Sequence, residues 1–274
     1  MNRKLKDKIF KFFIFSSVGV VVFILLFITA YVLYKGFSSI NLDFFIRLPK
    51  PVGEPGGGMV NAIVGSFMIV SLATLFSIPL SVLTGVYLSE YKNEKFTNIV
   101  RSALEILSAV PSIVIGIFVY GLVVLPMKRF SLLAGSIALS IIMIPLVART
   151  TEEMLNMIPP TIKEAGLALG IKNWKVIFYI LLNTAKPGVL TGILLALARI
   201  FGETAPLLFT AFGNRFWHRS LLDPAAALPL QIFIYAISPY DDWNRQAWAG
   251  AFVLIAIVYI LLIISRKLIL KYKL

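Results

Sequence analysis

A helix needs about 20 predominantly apolar residues to cross roughly 30 Å of hydrocarbon, and this chain meets that demand six times. The runs lie at 12–34, 62–88, 106–125, 132–148, 189–211 and 247–264. Nothing in a bilayer core can satisfy an exposed backbone, so runs of this length are expected to be helical. The expected class is an all-α polytopic membrane protein with six transmembrane helices. Composition agrees, with 14% charged residues where soluble domains carry about 25%. The chain has no cysteine and one histidine, His218. Disulfides, thiol chemistry and Cys/His metal sites are thereby excluded, and no metal or cofactor is expected. The first run follows a basic start but is far longer than a signal-peptide core of about 7–15 residues, so it is expected to be retained.

Six crossings put both termini on one side, and charge chooses the side. Seventeen Lys and Arg residues fall with the termini and eight on the opposite side, with Arg199 left in the membrane. Positive charge favours the cytoplasm, so both termini are expected there. The same placement accounts for the net charge of +13, and no nucleic-acid partner is implied.

Proline and glycine crowd residues 48–61 (LPKPVGEPGGGMVN). They read as a hinge between a first unit, 1–47, and a core, 62–265, with a basic tail at 266–274. The first span then becomes peripheral to a five-helix core. Two connections exceed simple links. One runs from about 149 to 187 on the cytoplasmic side; the other, external from about 212 to 246, carries Trp217, Tyr235, Tyr240 and Trp243. Those aromatics suit an interfacial or re-entrant stretch. Among single charges, Glu105 stands at a span entrance and Glu90 beside Lys92 reads as a membrane-edge pair. Arg215, Arg219 and His218 read as external surface positives.

The fifth run carries Arg199 and Glu203 within ARIFGETAPLLFTAFGN. An intramembrane charge is costly and marks a functional position or a pairing. Four residues apart, the two side chains share a helix face and can neutralise each other. Alternatively they face a translocation route, where an arginine fork suits an oxyanion. Glu203 would then accept a hydrogen bond from the O–H that phosphate carries and sulfate lacks, or temper the hold of Arg199. Gly202, with Pro206 beyond it, permits a local break that turns backbone N–H groups toward an anion. The rival reading gives both residues a packing role. Thr204 sits at the same break.

The cytoplasmic connection reads IPPTIKEAGLALGIKNWKVIFYILLNTAKPG over 158–188. Thr161 opens a short helix, Gly170 sits where a left-handed stop is wanted, and Asn173 caps a second helix. Either it shields helix ends, or it docks a cytoplasmic subunit. Glu164, Ala165, Gly166, Gly170, Ile180 and Leu182 resemble the EAA loop of bacterial ATP-binding-cassette importer permeases. Gly166 stands where that motif has a second Ala, and Asn183 where it has Pro, with Pro187 available as the helix breaker. The resemblance implies that this loop is a coupling helix fitted to an ATPase, with Glu164 a polar anchor and Gly170 the turn.

A narrower resemblance covers most of the chain. GGGMVNAIVGSF (56–67), GVYLSEY (85–91), GETAPLLFTAFGN (202–214) and LPLQIFIYAISP (228–239) resemble the PstA-type permease family of phosphate importers. That implies a PstC-type second permease, two PstB-type ATPase copies, an extracytoplasmic phosphate-binding protein, and residence in the bacterial cytoplasmic (inner) membrane. No phosphate-binding G-x-x-x-x-G-K-[ST] run occurs, so ATP hydrolysis is assigned to the partner and the chain is expected not to be an enzyme. The expected function is inorganic phosphate transport. The alternatives are another oxyanion (molybdate, tungstate or phosphonate) and a secondary anion transporter.

Overall fold

The computed structural model describes residues 3–52, 54, 56–92 and 94–271. Gly53 and Pro55 of the expected hinge, and the extreme ends of both basic termini, lie outside them. The first helix, α1 (Arg3–Phe37), is followed by the short α2 (Leu42–Ile46) and the long α3 (Val60–Glu90). Next come α4 (Lys95–Ala109), α5 (Ser112–Val119), a π-helical turn at Tyr120–Val124 and α6 (Leu125–Met127). Then α7 (Leu132–Asn156), α8 (Pro160–Ala168) and α9 (Asn173–Lys175) precede a second π-helical turn, Val176–Leu181. The chain closes with α10 (Leu182–Phe201), α11 (Ala205–Thr210), α12 (Leu228–Ala236) and α13 (Asp241–Lys271).

The centre of the bundle is α7. It packs against α3, α4, α5, α10 and α11, and buries Leu139, Met143, Val147 and Ala148 almost completely. Helix axes approach this closely only where side chains are small, and glycines stand at the crossings. A Cβ placed on Gly192 of α10 would lie 2.4 Å from the Thr150 side chain, and one on Gly85 of α3 would lie 2.5 Å from Thr151. Gly188 and Gly192 form a G-x-x-x-G face on α10 that receives Met154 and Thr150, successive turns of α7.

Among the described residues five helices are long and apolar enough to span, and a bent pair makes six. The third expected run, 106–125, is not one rod. It straddles a 103° bend between Lys95–Ala109 and Ser112–Met127. Pro111 is the cause: a proline bars helical geometry from the residue before it, and Val110 is extended (φ −64°, ψ 129°). Helix α4 lies across one end of the bundle, and Ser112–Met127 runs from there to the other, where Phe130 stacks on Phe212 at 4.4 Å.

The fifth expected run, 189–211, is also corrected. Helix continues unbroken from Asn173 to Phe201, then stops at Gly202. Pro187 therefore lies inside a helix and breaks nothing. Nor does Asn173 cap: Lys172 occupies the N-cap without a side-chain bond.

The first span is peripheral. No residue in its most apolar window is buried, and its packing is against α13. There Tyr31 meets Trp248 edge-on at 5.4 Å, and Gly36 seats against Phe252. The Pro/Gly stretch folds back on α2, since Met59 N–H donates to the Phe44 carbonyl and Met59 is fully buried. The connection between α11 and α12, expected to be external, penetrates the bundle. Ala225, Ala226, Ala227 and Leu228 are buried, and Ser66 Oγ accepts from Leu228 N–H at 2.6 Å.

Placing a β-branched side chain at the α7–α10 crossing should overpack it. Gly192→Val is expected to cost about 1–3 kcal/mol, read as a lowered unfolding midpoint in detergent, while Leu195→Val at an exposed position of α10 should leave the midpoint within experimental scatter.

Candidate functional site

Two regions carry the residues singled out by sequence. At the first, α10 ends where Gly202 N–H donates to the Arg199 carbonyl (3.1 Å) and Glu203 N–H to that of Ile200 (3.3 Å). Pro206 then occupies the first turn of α11, where a missing N–H is tolerated. Thr204 takes the N-cap position of α11, and its carbonyl accepts from Leu208 N–H. The break at 202–204 is therefore built by Gly202 and Pro206 together. It is held against α5: a Cβ on Gly116 would fall 2.7 Å from Pro206 Cα.

Arg199 Nε stands 3.7 Å from Glu203 Oε1, with the side chains 52% and 17% exposed. That separation gives attraction but lies beyond hydrogen-bonding distance. Arg199 is thus the last cation of a helix, at its negative dipole end, rather than a charge at the middle of a continuous span. A cavity of about 240 Å³ opens beside it at the α4–α5 elbow, lined by Ser108, Val110, Ser112, Pro145, Arg149 and Arg199 among others. Arg149 belongs by its position in sequence to the loop after the fourth run. It lies instead within α7, which continues eight residues past Ala148 to Asn156. Its guanidinium bonds Glu105 at 2.6 Å.

At the second region, α8 begins at Pro160 with Pro159 as N-cap, a residue earlier than a Thr161 start. Its end is a Schellman turn. Gly170 N–H donates to Leu167 (2.9 Å) and Ile171 N–H to Gly166 (3.3 Å), with Gly170 at φ +74°. Gly166 is buried, and a Cβ there would sit 3.1 Å from Val176 and 3.3 Å from Ile180. The departure from Ala at this position lets α8 fold tightly onto the start of the 173–201 rod. Glu164, Ala165, Ala168 and Leu169 face outward, and Leu169 is 80% exposed.

Ion pairs tie this loop to the bundle, and sequence spacing gave little sign of them. Glu90 at the end of α3 pairs with Lys163 of α8, not with Lys92. Arg101 of α4 bonds the largely buried Glu152 of α7 at 2.7 Å. The one available signal was Glu152 itself, a carboxylate one helical turn beyond the apolar face of α7. In the connection after α11, Arg215 covers the Trp243 ring at 5.5 Å, and Tyr235 stacks on the same indole at 4.4 Å. His218 Nε2 lies 2.9 Å from Met68 Sδ.

Residues 77–272 match the family of binding-protein-dependent transport system inner membrane components. The chain is 44% identical over 265 residues to the phosphate transport system permease protein PstA of Haemophilus influenzae, covering 96% of this chain and 94% of that one. It is 46% identical over 241 residues to PstA of Xylella fastidiosa, covering 87% and 84%. Among solved structures, an inward-facing MetNI methionine ABC transporter chain superposes with TM-score 0.61 at 19% identity, over 77% of this chain and 93% of that one. That likeness concerns the fold.

A left-handed backbone costs an L-residue roughly 1–2 kcal/mol. Gly170→Ala should therefore loosen the α8 turn, seen as faster amide hydrogen exchange over residues 166–172 with exchange in α7 unchanged.

Proposed function

The chain belongs to the family of binding-protein-dependent transport system inner membrane components, and from that premise we propose that it is the permease subunit of an ATP-driven importer of inorganic phosphate. The observation that carries this reading is the 44% identity over 96% of the chain to a phosphate permease. The substrate assignment follows from that likeness; the residues argue for an anion. Hydrolysis of ATP falls to a separate ATPase of the PstB type, present in two copies. A PstC-type permease and an extracytoplasmic phosphate-binding protein complete the assembly. The chain resides in the cytoplasmic membrane with both termini in the cytoplasm, as the seventeen-to-eight distribution of basic residues favours. Residues 62–265 form the working core, and 1–47 an accessory span.

The outward face of α8, with Glu164, Ala165 and Leu169, meets the ATPase. Gly166 and Gly170 keep α8 closed against the 173–201 rod, so a push on α8 reaches Arg199. The Lys163–Glu90 pair joins the same movement to α3. At the far end of the rod Arg199 attracts phosphate. Glu203 competes for that guanidinium and shortens the anion's stay, while the break at Gly202 and Thr204 allows backbone to face the route. Such competition lets a site bind without trapping, as conduction requires.

Two measurements on the reconstituted complex test this reading. ATP-dependent uptake of labelled phosphate should resist excess sulfate and molybdate and fall at least tenfold in Arg199→Gln, with the complex still assembled. Preference for another oxyanion would replace the substrate, and undiminished uptake in the variant would remove Arg199 from the path. For the α3 tie, Glu90→Lys should lower uptake several-fold while ATPase activity persists. The exchange Glu90→Lys with Lys163→Glu should recover much of the loss.

A further inference from the structure

We propose that the cavity at the α4–α5 elbow is a two-arginine oxyanion site in which Arg149 and Arg199 bind phosphate together, and from which Glu105 releases it. The inference rests on the phosphate-permease reading and adds a second cation, a location and a release device. Four observations support it. First, Arg149 of α7 and Arg199 of α10 line one cavity of about 240 Å³. At ~30 Å³ of liquid volume per water, that space is about eight waters, enough for a tetrahedral anion with part of its hydration. Second, two guanidiniums would ordinarily repel across so small a space, yet the carboxylates that balance them sit to either side. Glu105 bonds Arg149 (2.6 Å) and Glu203 stands 3.7 Å from Arg199, and neither carboxylate lines the cavity.

Third, the elbow supplies neutral donors. Helix begins at Ser112 directly after Pro111, so the positive end of the Ser112–Met127 dipole lies at the cavity wall beside the Ser112 hydroxyl. Ser108 Oγ already donates to the Leu104 carbonyl (2.9 Å), which leaves Ser112 as the available hydroxyl. Fourth, the two arginines and the carboxylate outside the cavity stand on three separate elements. Arg149 is on the central α7, Glu105 on the transverse α4 and Arg199 at the end of the rod that begins at α8.

A release device follows. A guanidinium fork holds either a carboxylate or a phosphate edge. With phosphate in the cavity, Arg149 turns from Glu105 toward the anion; when α4 shifts against α7, Glu105 recaptures Arg149 and the anion leaves. The pair is half exposed, 46% and 52%, so little is lost in exchanging one partner for the other.

Opposite signs separate this from a structural ion pair. Removing either member of a structural pair breaks the same contact and shifts phosphate affinity in one direction. A competing carboxylate predicts the reverse of its arginine. The test is equilibrium binding of labelled inorganic phosphate to the assembled transporter in detergent, without binding protein, beside ATP-dependent uptake. Expected are binding weakened at least tenfold in Arg149→Gln, partly recovered in Arg149→Lys, and tightened several-fold in Glu105→Gln with slowed uptake. Should Arg149→Gln fail to assemble, Glu105→Gln alone decides, because tighter binding is the outcome a broken structural pair does not give. Unaltered binding in Glu105→Gln and in Arg149→Gln, with Arg199→Gln still defective, would overturn the two-arginine site and leave the permease reading intact. A wild-type complex that transports no phosphate overturns both.

Discussion

The arrangement depends on how closely α7 can be approached. Its two main neighbours, α3 and α10, each bring a glycine to the point of crossing, and the missing side chain lets Thr151 and Thr150 occupy the space. In a bilayer, apolar burial gives helices little reason to associate, since lipid is as apolar as leucine, and dispersion at short range takes over. Separation at the α7–α10 crossing would part Arg149 from Arg199, because one arginine stands on each of those two helices. The geometry of the polar site is therefore set by residues with no polar atoms in their side chains.

Around this centre the polar contacts divide by position. At the α8 end they are ion pairs between helices: Lys163 to Glu90, Arg101 to Glu152, Arg149 to Glu105. The Arg149–Glu105 pair is exposed, and such a pair contributes roughly 0–1 kcal/mol, whereas the carboxylates of Glu90 and Glu152 are largely buried against their partners. At the opposite end the contacts are backbone and aromatic. Leu132 N–H bonds the Asp223 carbonyl, Ser131 N–H that of Thr210, and Tyr235 lies flat on Trp243.

What sequence made legible was whatever depends on length and hydropathy. The spans in α1, α3, α7 and α13 fall where apolar runs place them, and Gly170 turns the chain as a left-handed stop should. The errors share one cause. Apolar composition reports that a segment is buried in lipid or protein, not that its helix is straight. Run 106–125 therefore joined the end of α4 to α5 across Pro111, and run 189–211 joined α10 to α11 across Gly202. Pro187 misled in the opposite direction, being tolerated in a helix whose neighbours can compensate for the lost bond. The partner of Glu90, seventy-three residues away, was beyond reach because nothing in the sequence sets the register of α8 against α3.

One consequence concerns mechanics. The helix from Asn173 to Phe201 runs without a break along its 29 residues, and Gly166 packs α8 against its base. At 1.5 Å per residue it is a lever of about 43 Å, so a tilt of about 10° at one end sweeps the other through about 7–8 Å. Among the described residues, two π-helical turns interrupt the regular α-helical pattern. One lies in the lever's base at Val176–Leu181, and the other in the Ser112–Met127 helix, whose start shares a cavity wall with Arg199 near the lever's tip. A small rotation of an exposed nine-residue helix thus becomes, by length alone, a displacement larger than the contact between an arginine and its carboxylate.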